Sequence, residues 1–361
     1  MAKINLYIFD SDGMKKIARY ILIVLGLLVL YLSTSKTMMQ KISDARNDHD
    51  EWWGSHFPYE GDLVGMSYLY YEKRFHKPKE RVYEPKQCDS NNNINLVLWG
   101  DSYTQYMGDT CFCAATYQYG RRFFSNLTYR IDSTKRNILV IECTERLVRG
   151  YFSDTRMLNE VVKSDEQKST YIAPIPHTTY VSFAMPNMAS IFNEHINQNL
   201  EYNLFNYNFI NPVRKMKAWM NYKIFNRASG DAVLAAAGDR LYLKSTLSST
   251  SPEGYTTPLT NKEVNQLVQT LNTIHRHYKA AGFDEVYLSL IPNAVTIYQP
   301  QGYNGLIPCI QSHPDLQMKC IDIYTVFLQN PDGMYWRGDT HWSNEGASRW
   351  LQIVNAAITH P

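Results

Sequence analysis

Near the start of the chain, thirteen consecutive residues from Tyr20 to Leu32 carry no charge and only two hydroxyls, those of Tyr20 and Tyr31. A helix through them is apolar on every face rather than along one stripe, which argues against an amphipathic helix on a soluble core. With Ile17, Ala18 and the shoulder Ser33-Thr34-Ser35, the segment spans 19 residues. That is about the length needed to cross bilayer hydrocarbon, with Arg19 and Lys36 able to snorkel at its ends. The expected organisation is a short cytoplasmic leader (1–16), a transmembrane signal anchor (17–35), a juxtamembrane connector (36–90) and one domain (91–361). A cleaved signal peptide also fits an apolar centre of this length followed by small residues; the long polar leader favours the anchor. Lys3, Lys15, Lys16 and Arg19 precede the segment and Lys36, Lys41 and Arg46 follow it, so the charge bias towards a cytoplasmic N-terminus is weak.

The rest of the chain is long and apolar enough, at 361 residues and 44% hydrophobic, to bury one substantial core. Its 36 basic and 34 acidic residues are scattered. No basic stripe exists to neutralise a phosphate backbone, so nucleic acid is not an expected partner. The six cysteines form no CxxC pair, and Cys111-Phe112-Cys113 is too tight for a zinc site, so no metal is expected. In an exported domain Cys309 and Cys320 are a candidate disulfide, although sequence leaves connectivity open.

The connector is rich in aromatics (Trp52, Trp53, Tyr68, Tyr70, Tyr71) without a sustained period. Such residues sit at a bilayer interface or, more commonly, pack on a domain. From Asn93 onward, apolar runs of strand length alternate with helical patterns. Ile94 to Leu98, Ile138 to Cys143 and Val286 to Ile291 read as buried parallel strands. Lys262 to Ala281 reads as a helix with Val264, Leu267, Val268, Leu271, Ile274, His275 and Tyr278 on one face and Gly282 as its stop. A last helix is expected from Ser343 or Asn344, with Ala347, Trp350, Leu351, Val354 and Ile358 inward. The fold class is therefore α/β with a mostly parallel sheet. Tyr151 to about Pro258, polar and weakly periodic, is expected as loops and short helices.

Two short segments carry chemistry. Leu96 to Ser102 is an apolar strand ending in Gly100-Asp101-Ser102, a turn that would expose the Ser102 hydroxyl. A helix is expected to begin there, placing the Ser102 amide where it helps hold an oxyanion. Just before the last helix, Asp339-Thr340-His341 spaces an acid two residues from a histidine. On a loop this lets the carboxylate accept from one ring nitrogen while the other faces a serine hydroxyl. Either segment alone reads as ordinary turn or cap chemistry. Together they form a specific pairing of position, spacing and residue type.

Those two blocks resemble the SGNH (GDSL-like) hydrolase superfamily, and Asp339-Thr340-His341-Trp342-Ser343 is similar to a block of the alginate and exopolysaccharide O-acetyltransferase-like branch. The resemblance implies a three-layer α/β/α domain, with Ser102 as acyl-accepting nucleophile, His341 as base and Asp339 orienting it. Val140 to Arg146 is similar to a strand-end Glu-Arg segment of that branch, which makes Glu142 and Arg146 candidate site-lining residues. Asp101, Asn293 and Trp342 are further candidates. In the alginate branch the Asp-x-His block commonly precedes the serine block; here it follows, as in the wider superfamily. No Gly or Gly-x-Asn-Asp block is found, so oxyanion donors beyond Ser102 are unassigned.

The implied activity is O-acyl, above all acetyl, transfer to hydroxyls of a cell-envelope or exported polysaccharide, without a cofactor. It implies a membrane-bound O-acyltransferase as donor partner, and a location at the bacterial inner membrane with the domain in the periplasm or outside the cell. A carbohydrate acetyl esterase would use the same triad with water as acceptor. A non-catalytic carbohydrate-binding module would be expected to lack part of the triad.

Overall fold

The computed structural model describes residues 11–34, 38–39, 61–78, 93–123, 126–164, 196, 200, 203–204 and 211–360. Trp52, Trp53, Cys88 and most of the leader lie outside them. The chain divides into two compact units, Met1–His56 with Ala173–Lys217, and Phe57–Ile172 with Ala218–Pro361. In the first, helix α1 (Ser11–Thr34) contains a stretch from Lys15 to Thr34 that is long and apolar enough to cross a membrane. Its polar end is satisfied internally: the Ser33 hydroxyl donates to Val29 O (2.8 Å) and that of Thr34 to Tyr31 O (2.9 Å). Both residues are buried, and the Ser33 hydroxyl also accepts from the Asn203 amide at 2.9 Å.

The second unit is α/β. Its five-stranded sheet comprises β1 (Ile94–Gly100), β2 (Thr116–Arg121), β3 (Arg136–Thr144), β4 (Glu285–Ile291) and β5 (Lys319–Cys320) in the order β2-β1-β3-β4-β5. Every neighbouring pair is parallel. The central strands read as unbroken apolar runs because both of their faces are covered. Leu96, Leu98, Ile138 and Val140 pack on one face with Trp350, Leu351 and Val354, whereas Val97, Trp99, Leu139 and Ile141 pack on the other with Leu267, Leu271 and Ile274. The first set belongs to the last helix and the second to the helix before β4.

That second helix runs over Asn261–Ala280, one residue from its expected start and end. The Thr260 hydroxyl caps it by accepting from Glu263 N at 3.2 Å. The last helix, Asn344–Thr359, is capped in the same way by Ser343, which accepts from Gly346 N at 3.1 Å. Trp350 fixes its depth. The ring is fully buried against Trp342 and Phe112, and the indole N–H donates to Ser289 Oγ at 2.9 Å. The insert between Tyr151 and Pro258 includes a helix at Asn211–Phe225 and a small antiparallel pair, Ala232–Leu234 with Leu241–Leu243.

Three expectations need correction. Residues 61–78, assigned to the connector, fold into the second unit: Leu63, Val64, Leu69 and Phe75 are buried with Ala218, Tyr222 and Leu241. Spaced irregularly over a short helix (Asp62–Ser67) and turns, they leave no period to read. Cys309 and Cys320 are both free. Cys309 is exposed on a short helix (Leu306–Gln311), whereas the Cys320 thiol, in β5, turns to Met318 O. It is Cys113 that is disulfide-bonded, its partner lying outside the described residues. Finally, no α-helix starts at Ser102; residues 102–106 form turns.

Trp350→Ala empties a site at the junction of sheet and last helix. It should lower the unfolding free energy by about 3–5 kcal/mol, read as a shift in urea midpoint.

Candidate active site

The order of strands changes direction at β1: β2 lies on one side and β3, the next in sequence, on the other. In parallel sheets such a switch point opens a crevice at the carboxyl ends of the strands. The Gly100-Asp101-Ser102 turn leaves β1 there. Gly100 is required by close approach, since a Cβ would stand 2.2 Å from Thr104 Oγ1 and 2.8 Å from Glu142 Oε2. Asp101 then closes the turn. Its carboxylate accepts from Tyr103 N at 2.9 Å and from the Thr144 hydroxyl at 3.0 Å. Such local side-chain bonding competes with a helix start, which explains the turns that follow Ser102. Asp101 therefore shapes the Ser102 turn from within.

Glu142, fully buried in β3, holds the same turn from behind by accepting from Asp101 N (2.8 Å) and Thr104 Oγ1 (3.3 Å). Burial, with the neighbouring Asp101 carboxylate, keeps its carboxyl well above the usual carboxylate range. Arg122 lies beside it, also fully buried, donating to Glu142 O and stacked over Tyr151 at 4.1 Å from the ring centroid. Glu142 supports the site and is covered by it.

The Asp339-Thr340-His341 block rides on a loop closed by a bridge between Tyr335 and Trp342. The loop brings His341 Nε2 to 2.8 Å from Ser102 Oγ, and Asp339 Oδ1 to 2.6 Å from His341 Nδ1. The Asp339 side chain is fully buried and Ser102 partly exposed. Asp339 also accepts from His341 N (2.8 Å), from Asp62 N (3.2 Å) and from the Lys77 ammonium. Burial alone would raise its carboxyl, but the hydrogen bond and charge of His341, with the Lys77 charge, hold it well below the carboxylate range. Asp62, Asp339 and His341 bring polar atoms within 4.8 Å of one another, a set with metal-ligand chemistry. The cation already in contact with Asp339 is Lys77, so this donor set is engaged by the protein itself.

Tyr103 completes the wall. Its hydroxyl, kept protonated by burial, donates to Thr340 O, and its ring lies 4.8 Å from that of His341. Arg146, in the first turn of the helix Glu145–Tyr151, lies against the same ring at 5.8 Å from its centroid. Arg146 thus reaches the site. Trp342 does not line it: the ring is buried between Tyr103 and Trp350 and carries the loop. Asn293, beyond the end of β4, is buried with neither amide atom bonded among the described residues, while its backbone N–H donates to Glu145 Oε2 at 2.8 Å. The Ser102 amide makes no hydrogen bond among the described residues, which leaves it available to an oxyanion.

Asp62, Lys77, Tyr103 and Glu145 are the residues that sequence reasoning missed. Asp62 and Lys77 sit more than 250 residues before Asp339 in a segment without periodicity, and only their contacts reveal them. Tyr103 and Glu145 adjoin residues already singled out, so adjacency was the available signal. Comparison with protein-family models, curated proteins and solved structures finds no match for this chain.

The Glu145 carboxyl, 3% exposed, is pushed up to about 7 by burial despite bonds from Asn293 N and the Thr296 hydroxyl. Its unfolded value is near 4.3, so between about pH 4 and 7 the native state keeps a proton that the unfolded state loses. Stability from this group therefore falls as pH rises through that window and is flat above it. Glu145→Gln should remove a loss of roughly 3 kcal/mol, visible as a gain over wild type in urea unfolding at pH 8 that disappears near pH 4.

Proposed function

We propose that the chain is an SGNH-type O-acyltransferase of three-layer α/β/α architecture that acetylates hydroxyls of a cell-envelope or exported polysaccharide. One observation carries the reading: an unbroken hydrogen-bonded line from buried Asp339 through His341 to the Ser102 hydroxyl, at the switch point of a parallel sheet. The covering of both sheet faces by helices supports the architecture. The α1 segment supports a membrane anchor, and the Cys113 disulfide supports an oxidising compartment outside the cytoplasm.

In the first half-reaction, Ser102 Oγ attacks the donor's acyl carbon while His341 Nε2 takes the hydroxyl proton. Asp339 holds the opposite ring N–H throughout. The Ser102 amide, with Arg146 beside Tyr103, faces the charge that develops on the acyl oxygen. His341 returns the proton to the leaving group as the bond to it breaks, which leaves an acyl-serine. In the second half, His341 takes the proton of a sugar hydroxyl as its oxygen attacks the ester, then returns it to Ser102. The cycle needs no resident cofactor. Because acetyl-CoA is cytoplasmic, the acyl group must be carried across the membrane, and a membrane-bound O-acyltransferase at the bacterial inner membrane is the donor partner that fits.

The test is incubation of the purified chain with an activated acetyl ester and an oligosaccharide acceptor, with free acetate and acetylated sugar measured together. Sugar acetylation should appear and fall by about a thousandfold or more in Ser102→Ala. Acetate release without sugar acetylation would establish the esterase instead. Activity unchanged in Ser102→Ala would remove the triad reading altogether.

A further inference from the structure

Resting on that reading of the triad, we infer that Asp62 is a second carboxylate that stabilises the protonated state of His341, and that Lys77 opposes it by neutralising Asp339. Asp62 stands 3.7 Å from His341 Nδ1. It is aimed by the loop that carries the histidine: one oxygen accepts from Thr340 N at 2.7 Å and the other from the Thr340 hydroxyl. Its own backbone N–H bonds the far oxygen of Asp339, so one residue braces both the acid and the base of the triad.

The charge count explains why a second acid is needed. In an isolated acid-histidine pair, the carboxylate offers a whole negative charge to the imidazolium formed when the serine proton arrives. Here the Lys77 ammonium, on an 84% covered side chain, contacts Asp339 directly and offsets that charge. With His341 neutral, Asp62, Asp339 and Lys77 sum to one negative charge; when His341 takes the proton the cluster becomes neutral. Asp62 supplies the balance. The other charged groups near the ring are Arg146, which lies over Tyr103 at 5.8 Å from its centroid and within the field of Asp62 and Asp101, and Asp101, whose carboxylate is bound by Tyr103 N and Thr144; one positive and one negative, they leave the sum unchanged. Tyr103 itself is neutral. Asp62 is thus a positioning and charge-balancing residue that acts through His341.

The experiment is the pH profile of kcat/KM for the Ser102-dependent reaction of the full chain, normalised by labelling with a serine-directed phosphonate. The acid limb reports His341 gaining a proton from water. Removing a nearby negative charge makes that harder, so Asp62→Asn should move the limb to lower pH. Removing a nearby positive charge makes it easier, so Lys77→Met should move it to higher pH. Each shift should be about one pH unit, and the double variant should return close to wild type. A purely structural role would lower activity at every pH without opposite displacements. Limbs that stay in place, or move in the same direction, would overturn the inference while leaving the triad intact. The same displacements should appear when the His341 ring is titrated by NMR in Ser102→Ala, a measurement that needs no substrate. It therefore separates failure of this inference from failure of the proposed activity.

Discussion

The Asp339 carboxylate is buried, and a buried charge persists only when it is paired and hydrogen-bonded. Its partners come from two pieces of chain: the ring and amide of His341 on its own loop, and the amide of Asp62 and the ammonium of Lys77 from the segment 61–78. Each piece is held where it is by apolar packing. The loop of His341 is seated by Trp342 on Trp350, and the segment of Asp62 and Lys77 by Leu63, Val64 and Phe75. The hydrophobic core thus fixes where the charges meet, and the charges fix the tautomer and direction of the histidine. Gly338, immediately before Asp339, shows how close the approach is: a Cβ there would fall 2.2 Å from Phe75 O.

A second set of buried polar groups supports Ser102 from the opposite side. Glu142 accepts from Asp101 N, Thr144 donates to the Asp101 carboxylate, which accepts from Tyr103 N, and Arg122 donates to Glu142 O, so the cluster is linked to the Ser102 turn through Asp101 and Glu142. Burying charged groups has a large desolvation cost. In this cluster they hold a turn whose own backbone bond, Thr104 N to Asp101 O, is a long 3.3 Å, so side chains supply the hold that a helix N-terminus would otherwise give. In the proposed reaction that rigidity would keep the Ser102 hydroxyl within hydrogen-bond reach of His341 for proton transfer.

The two halves of the triad arrive by different routes. Ser102 is set by the sheet: β1 ends at Gly100, and its parallel neighbours β2 and β3 diverge on either side. His341 is set by a loop tied to the last helix through the Ser343 cap and the bridge from Tyr335 to Trp342. Tyr103 joins them. It follows Ser102 in sequence, yet bonds the carbonyl of Thr340 and packs on the rings of His341 and Trp342.

Periodicity determined much of this protein. Short apolar runs of strand length between helical patterns suit parallel strands buried on both faces, so the α/β class, the strands near 94, 138 and 286 and both long helices were legible, as was an apolar helix long enough to cross a membrane. Residue type and spacing also marked Ser102, Asp339 and His341, because a serine on a strand-end turn and an acid two residues from a histidine are chemically unusual in combination. Tertiary structure decided the rest. Asp62 and Lys77 act through contacts spanning more than 250 residues, and no local pattern encodes a contact at that separation. The free state of Cys309 and Cys320 and the burial of Trp342 likewise depend on which surfaces meet. The turn after Ser102 was misread for the same reason: an aspartate beside a serine fits a helix start or a turn equally well, and the choice was made by Thr144 and Glu142, supplied from the neighbouring strand.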